Sequence, residues 1–307
     1  MKKRNNIMNG TKDNTTNSEY GFVTLVEKQH YTTFTFSGGE RHVQLTPEGS
    51  ELLRHAFKSD LAVNINIMPR SANDIFDILL LNDIVKNNFK IKKRRLFMNY
   101  IPYARQDRAT TKESPFSLRV FADVLNSCEF TEIWVFDPHS QISNVLIKNM
   151  INVDFFGMLL GMVFYKEKTA EWTPEEELKN VVLCSPDYGA MKKVESYAQN
   201  MGVGDVLVCS KKRNPATGHI DSIKIISDTD YSGKDVFIID DICDGGRTFI
   251  EILSKTDLKE KAASVNLVVT HGIFSQGKQV LLDAGFDTVQ AIFDWETKRD
   301  SDKGSKS

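Results

Sequence analysis

The sequence predicts an α/β fold of roughly two domains, each a mainly parallel sheet with helices on both faces. Three observations carry this expectation. The 307-residue chain is long enough for two domains of ~150 residues each. Short apolar runs alternate with amphipathic stretches of helical length, the βαβ rhythm of a two-sided parallel sheet. Polar, glycine-bearing loops follow directly on several apolar runs, at the strand ends where open α/β sheets bind ligands.

Composition narrows the function classes. A hydrophobic content of 41% with 26% charged residues supports two real cores. The formal net charge of -2 gives no global field to draw in nucleic acid or an anionic membrane. Four scattered cysteines (Cys128, Cys184, Cys209, Cys243) form no CxxC pair, which argues against a zinc ribbon or disulfide framework and fits a reducing cytoplasm. No apolar run reaches the ~18 residues that span a bilayer. MKKRNNIMNG lacks the apolar stretch of a secretory signal.

Residues 1–18 are polar and read as a disordered arm, as do 298–307 at the other end. The first domain is expected over 19–150. LAVNINI is a strand, and SANDIFDILLLNDIVKN a helix with Ser71 as N-cap and Ile75, Leu79 and Ile84 on one face. LFMNYI is a strand, followed by the loop PYARQDRATTKES; SLRVFADVLNS is a helix and EIWVF a strand. The basic run Lys92 to Arg95 lacks interleaved aromatics and reads as the solvated start of a strand rather than a nucleic-acid contact. The second domain is expected over 151–297, with the break near Lys166 to Glu177. VVLC, DVLVC, SIKII, VFII and VNLVVT read as strands. AMKKVESYAQNMG is a helix stopping at Gly202, and TFIEILSK and QVLLDAG continue the alternation.

The chemistry concentrates in VFIIDDICDGGRTF. Val236 to Ile239 is apolar on both faces, as a central parallel strand should be. The glycines and a helix start near Thr248 favour an anion, most simply phosphate. Asp240, Asp241 and Asp244 would repel that phosphate, and make sense if the ligand also carries sugar hydroxyls or a bound Mg²⁺. The loop therefore reads as a sugar-phosphate site; the plain alternative is an acidic helix N-terminus after a turn. Three more loops carry suitable groups. PYARQDR offers Arg105, Gln106, Asp107 and Arg108, suited to phosphate oxygens and a base edge. WVFDPHSQ places Asp137 and His139 at a strand end, where His139 could meet a metal or a phosphate. VVLCSPDYG places Asp187 and Gly189 at another. Each alone could be a solvated loop; four such loops at strand ends, carrying acids, a His and basic residues, are improbable as independent accidents.

FSGGERHV, PYARQDRATTKESPFSLRVFADVL, FDPHSQ, SPDYGAMKK, SKKR, IIDDICDGGRT and THGIFS resemble, in order, the motifs of ribose-phosphate pyrophosphokinase, over about Thr32 to Phe293. The resemblance implies two phosphoribosyltransferase-type domains and a homo-oligomer, dimeric or hexameric. It also implies Mg²⁺-dependent transfer of the β,γ-diphosphate of ATP to the 1-hydroxyl of ribose 5-phosphate. By matching position, Asp240 and Asp241 would hold ribose hydroxyls and Mg²⁺, and Asp244, Gly245, Gly246, Arg247 and Thr248 the 5-phosphate. His139 and Asp187 would bind metal and polyphosphate; Arg105, Gln106 and Asp107 the nucleotide; Phe36 and Glu40 would belong to an adenine pocket that the family completes from a neighbouring subunit. Lys211 and Arg213 would act from a mobile catalytic loop beside NPATG.

The chain also departs from that pattern. Gly245 stands where a loop threonine is usual and Arg247 where a glycine is, so a phosphate-binding hydroxyl is replaced by a long cation. Arg247 either adds a hand on a terminal 5-phosphate, or reaches a second phosphate of a substituted acceptor such as ADP-ribose, which would make the reaction a step of NAD salvage. Gly38 stands where many members carry Asp or Asn, and the family's last helix has no counterpart after AIFDWE. Two other readings compete: a non-catalytic nucleotide-binding regulator, and a phosphoribosyltransferase, which would not need the PYARQDR half.

Overall fold

The computed structural model describes residues 16–17, 21–153, 178–204, 206–213 and 220–295. The chain divides into two compact units, Met1–Val153 and Asp154–Ser307. The expected break at Lys166 to Glu177 and the tail at 298–307 lie outside the described residues, as does most of the expected arm. Two residues of that arm, Thr16–Asn17, instead form a short strand (β1) antiparallel to β2 (Phe22–Leu25).

In the first unit, β2, β5 (Ala62–Ile67), β6 (Arg94–Met98), β7 (Glu132–Phe136) and β8 (Met150–Val153) lie side by side in chain order, all parallel. Helices α1 (Pro47–Lys58), α2 (Ala72–Asp83), α3 (Ser117–Ser127) and the short α4 (Ile142–Leu146) fill the connections. A separate antiparallel hairpin, β3 (Tyr31–Thr35) and β4 (Arg41–Leu45), stands between β2 and α1. Val63, Ile65, Leu96 and Met98 are fully buried beneath these helices.

One expectation for this unit holds and one needs correction. Ser71 does cap α2, in a reciprocal capping box with Asp74. The fully buried positions are Ile78, Leu81 and Val85, and the expected Ile75, Leu79 and Ile84 pack half-buried against the same core. The helix widens into a π turn at Ile84–Asn88, and Leu79 to Leu81 are all leucine, so its apolar surface is broader than one regular stripe. The basic run, however, is not all solvated. Arg94 is buried, and its guanidinium donates to Asn82 Oδ1 (3.0 Å) and to the carbonyls of Ile91 (2.9 Å) and Glu129 (2.7 Å). It satisfies carbonyls where three segments meet, a task to which its five donors are suited. The strand it opens ends at Met98, three residues before the expected Ile101.

In the second unit the order changes. β9 (Val181–Ser185), β12 (Asp235–Cys243), β13 (Ser264–Gly272) and β14 (Thr288–Asp294) run parallel in sequence. β10 (Leu207–Arg213) sits on the other side of β9 and carries the antiparallel edge strand β11 (Ile220–Ile225). The order 11-10-9-12-13-14 thus reverses between β9 and β12. Residues of these two strands alternate between faces, as the pleat requires. Val181, Leu183, Phe237 and Ile239 pack with helix α5 (Tyr188–Met201). Val182, Cys184, Val236 and Ile238 pack with α6 (Arg247–Lys255), Leu258 of α7 (Leu258–Lys261) and Leu281 of α8 (Gln279–Ala284). Helices therefore cover both faces, and the strands can be apolar throughout. α5 ends at Gly202, whose φ of 71° closes the helix in the left-handed conformation glycine favours.

Candidate functional site

The reversal of strand order puts the carboxyl ends of β9 and β12 side by side with their connections leaving in opposite directions, which opens a crevice. The acidic residues stand there. Asp240 and Asp241 are not in a loop, as expected, but on β12, which runs on to Cys243. β12 pairs with β9 only as far as Ile238 opposite Cys184, while its pairing with β13 continues to Cys243 opposite Gly272. The two carboxylates thus ride on a strand that overhangs its neighbour. The sequence hid this because acids are poor strand formers; here the ladder to β13 holds them extended.

Asp241 is buried and Asp240 half-buried, and the Asp241 amide donates to Asp240 Oδ1 (2.9 Å). Burial, and then the charge of Asp241, push the Asp240 carboxyl well above its usual range, against the opposing charge of Lys193 on α5. Such a pair gains from a cation or from hydroxyl donors. Burial and the charges of Asp240 and Asp244 raise the Cys243 thiol to about 12, so it is no nucleophile.

The strand then turns through Asp244, Gly245 and Gly246 into α6. Gly246 has φ 77°, and a Cβ there would come within 2.8 Å of Leu281 Cδ2, so the position demands glycine on both counts. No side chain caps α6, which leaves its first amides without a side-chain acceptor at the cap position. The segment after β13 braces the turn: Ser275 N donates to Asp244 O (3.2 Å), and Ile273 N to Cys243 O (2.9 Å). Ser275 and Gln276 also lie beside Gly245. Thr248 is half-buried in the first turn of α6. Arg247 is exposed, and its Nε bonds Glu251 one turn on (2.8 Å), a carboxylate that Lys255 also reaches (3.3 Å).

Across the crevice, Asp187 caps α5 by accepting from Ala190 N (3.1 Å) and forms an ion pair with Lys211 Nζ (2.8 Å). Burial acts to raise Asp187, but the bond to Lys211, its charge and the amides of Ala190 and Gly189 outweigh it and hold the carboxyl low. The expectation of Lys211 and Arg213 in a mobile loop needs correction: both lie on β10, paired to β11, and the Lys211 side chain is only 9% exposed. The NPATG segment and the Arg213 side chain lie outside the described residues. Beneath Lys211, the buried Cys184 and Cys209 sulfurs are 3.8 Å apart as free thiols.

The first unit gathers the nucleotide-type residues at its own strand ends. The loops after β6 and β7 are tied together: Ser140 Oγ donates to Asp107 Oδ2 (2.8 Å). The Ser140 hydroxyl, with smaller help from Arg108 and His139, holds the Asp107 carboxyl below its usual range despite partial burial. Arg105, Gln106 and His139 are exposed on these loops. Sequence reasoning passed over Ser140; its signal was a small hydroxyl beside His139 in FDPHSQ. Phe36 and Glu40 sit apart, at the tip of the β3–β4 hairpin, where Phe36 N donates to Glu40 O (2.9 Å). The Phe36 ring meets Phe34 edge-on (5.0 Å between centroids) and lies near His42 (5.5 Å).

Among the described residues, no three His, Cys, Asp or Glu side chains form a metal-binding group, and no helix is long and apolar enough to cross a membrane.

Comparison with known proteins agrees with this geometry. The phosphoribosyl transferase domain family matches residues 165–299. The ribose-phosphate pyrophosphokinase of Pyrococcus furiosus is 27% identical over 235 residues, covering 75% of this chain and 77% of that protein. The enzyme of the same name from Pyrococcus abyssi is 26% identical over 245 residues, covering 79% and 76%. The crystal structure of phosphoribosylpyrophosphate synthetase from Mycobacterium smegmatis shares the fold at 22% identity, with a TM-score of 0.66 over 85% of this chain and 79% of that one. The similarity runs through both units, and the acids, glycines and basic strand stand in the order of the shared motifs, so the chain is similar to the ribose-phosphate pyrophosphokinases over about three quarters of its length.

Proposed function

We propose that the protein transfers the β,γ-diphosphate of ATP to the 1-hydroxyl of ribose 5-phosphate, giving phosphoribosyl pyrophosphate and AMP. The observation that carries this reading is the overhang of β12, which sets the Asp240–Asp241 carboxylate pair directly before a glycine turn into a helix. Asp240 and Asp241 accept the sugar hydroxyls. The amides from Asp244 to Thr248 receive the 5-phosphate, which the helix N-terminus favours. Arg105, Gln106 and Asp107 hold the nucleotide, with His139 on its phosphates, and Phe36 and Glu40 meet the adenine. The 1-hydroxyl oxygen attacks the β-phosphorus, its proton is lost, and the bond to the α-phosphoryl oxygen breaks. Such a transfer needs alignment and positive charge more than covalent help. Lys211 and Arg213 supply that charge, Lys211 by exchanging Asp187 for the diphosphate.

The donor set suits Mg²⁺, which is typically held by one or two carboxylates plus substrate phosphates rather than by a protein cage. In the second unit Asp187 would hold it, and Asp240 and Asp241 would reach it through the ribose; in the first, His139 is the candidate ligand that the resemblance implies. When bound, Mg²⁺ neutralises the transferring phosphates.

A second acceptor, ADP-ribose, is favoured by one feature. Gly245 offers no hydroxyl to a terminal phosphate, while Arg247 is exposed beside the loop, where a second phosphoryl group could draw it from Glu251. The deciding experiment supplies ATP and Mg²⁺ with either acceptor and follows AMP and product mass. AMP release with neither acceptor would leave the regulatory and phosphoribosyltransferase readings. If Arg247→Gly leaves the ratio of the two acceptors unchanged, Arg247 does not choose between them.

A further inference from the structure

The β3–β4 hairpin belongs to neither six-stranded sheet. Its base is held by the buried side chains of Tyr31 and Val43. Its tip is exposed: Phe34 is 40% and Phe36 52% accessible. Apolar burial therefore anchors one end of the hairpin and does little for the end that carries Phe36 and Glu40. A different interaction fixes that end. Arg41 faces Thr35 in the last paired position before the tip, and its guanidinium forks onto Asp77 of α2, with Nε to Oδ1 at 2.8 Å and Nη2 to Oδ2 at 2.7 Å.

Neither partner is an ordinary surface charge. The Asp77 side chain is 7% and the Arg41 side chain 19% accessible. Asp77 occupies a rigid helix, capped by the Ser71–Asp74 box and packed through Ile78 and Leu81. The pleat places His42, next in sequence, on the opposite face, where it completes the Phe34–Phe36 ring group (5.1 and 5.5 Å). One face of β4 is thus bolted to α2 while the other supports the rings. A forked, two-bond contact restrains both distance and angle, which a lysine at this position could not do.

We propose that Arg41 and Asp77 are positioning residues, which hold the hairpin tip at a fixed height and angle so that Phe36 and Glu40 meet the nucleobase preorganised. This inference rests on the reading of the tip as a nucleobase contact. Neither residue touches substrate. Their effect reaches the reaction through the tip alone.

The test is steady-state kinetics of the full chain with Asp77→Asn, Arg41→Lys and the charge swap Arg41→Asp with Asp77→Arg, with thermal unfolding measured alongside. Asp77→Asn and Arg41→Lys are expected to raise the KM for ATP roughly tenfold, while kcat and the acceptor KM stay within about twofold. The swap should recover most of the ATP KM. In a Phe36→Ala background, Asp77→Asn should add little, because the residue it positions is already gone. If Phe36→Ala leaves the ATP KM unchanged, the reading of the tip fails. If Phe36→Ala raises it but Asp77→Asn has no effect, or has its full effect in both backgrounds, the positioning role fails. Should Asp77→Asn not fold, a swap that folds without recovering the ATP KM overturns the proposal equally.

Discussion

The two units are built from the same parts and differ in one topological choice. In the first, the parallel strands lie in chain order from β2 to β8; in the second, the order reverses between β9 and β12. The reversal opens a crevice only in the second unit, and that is where the carboxylates, the uncapped helix turn and the Lys211–Asp187 pair converge. The first unit, without a reversal among its described strands, presents its polar groups on loops joined by the Ser140–Asp107 bond and on a protruding hairpin. Its residues suit recognition by hydrogen bonds and stacking. Those of the second suit charge stabilisation. On the proposed function, the same architecture yields a gripping unit and a reacting unit according to where the strand order turns.

This contrast predicts unequal effects of mutation. Asp240→Asn and Asp241→Asn should each lower product formation by roughly 10²- to 10³-fold, measured as AMP release at saturating substrates. Lys211→Met should cost about 10²-fold in kcat and leave Asp187 without its counter-ion. Changes in the first unit should be gentler for chemistry. Arg94→Met strands several carbonyls and should reduce unfolding stability by about 2 kcal/mol in urea titrations, with kcat unchanged. Ser140→Ala removes one hydrogen bond and should raise the KM for ATP about fivefold. A first-unit substitution among these that abolished kcat with both KM values intact would erase the distinction.

The smallest effect is on stability against pH. A carboxyl raised in the folded chain binds its proton more tightly there than when unfolded. The contribution of Asp240 is therefore complete below the ordinary carboxylate range and is lost as pH rises through its elevated folded value. Asp240→Asn should abolish that decline and stabilise the chain at neutral pH, measured by thermal unfolding without divalent cations. Asp187 has the opposite sign: its contribution is present above the ordinary carboxylate range and is lost as pH falls through its depressed folded value.

Much of this was legible in the sequence because its signals were local. SLRVFADVLNS and EIWVF coincide with α3 and β7, since periodicity and propensity agree there. Gly202 and Ser71 mark helix ends by backbone chemistry that needs no tertiary context. What escaped depends on neighbours distant in the chain. Nothing in DDICD reveals that β13 extends the strand beneath it. Nothing in KKRR reveals that Arg94 will find the carbonyl of Glu129, and nothing near Lys211 reveals that Asp187 already holds it. The site residues could be named from motif order, but their state of charge and restraint could not.

The overhang of β12 has a consequence for how ligand binding is divided between stiff and yielding parts. Along one edge the strand is laddered to β13 as far as Cys243, so the backbone beneath Asp240 and Asp241 has no slack to take up when a sugar arrives. Along the other edge, beyond Ile238, no described strand lies beside it. The floor is rigid and open at once. The entropic cost of assembling the reactive complex therefore falls on the incoming molecules and on the basic arm that must release its carboxylate, and not on the platform that receives them.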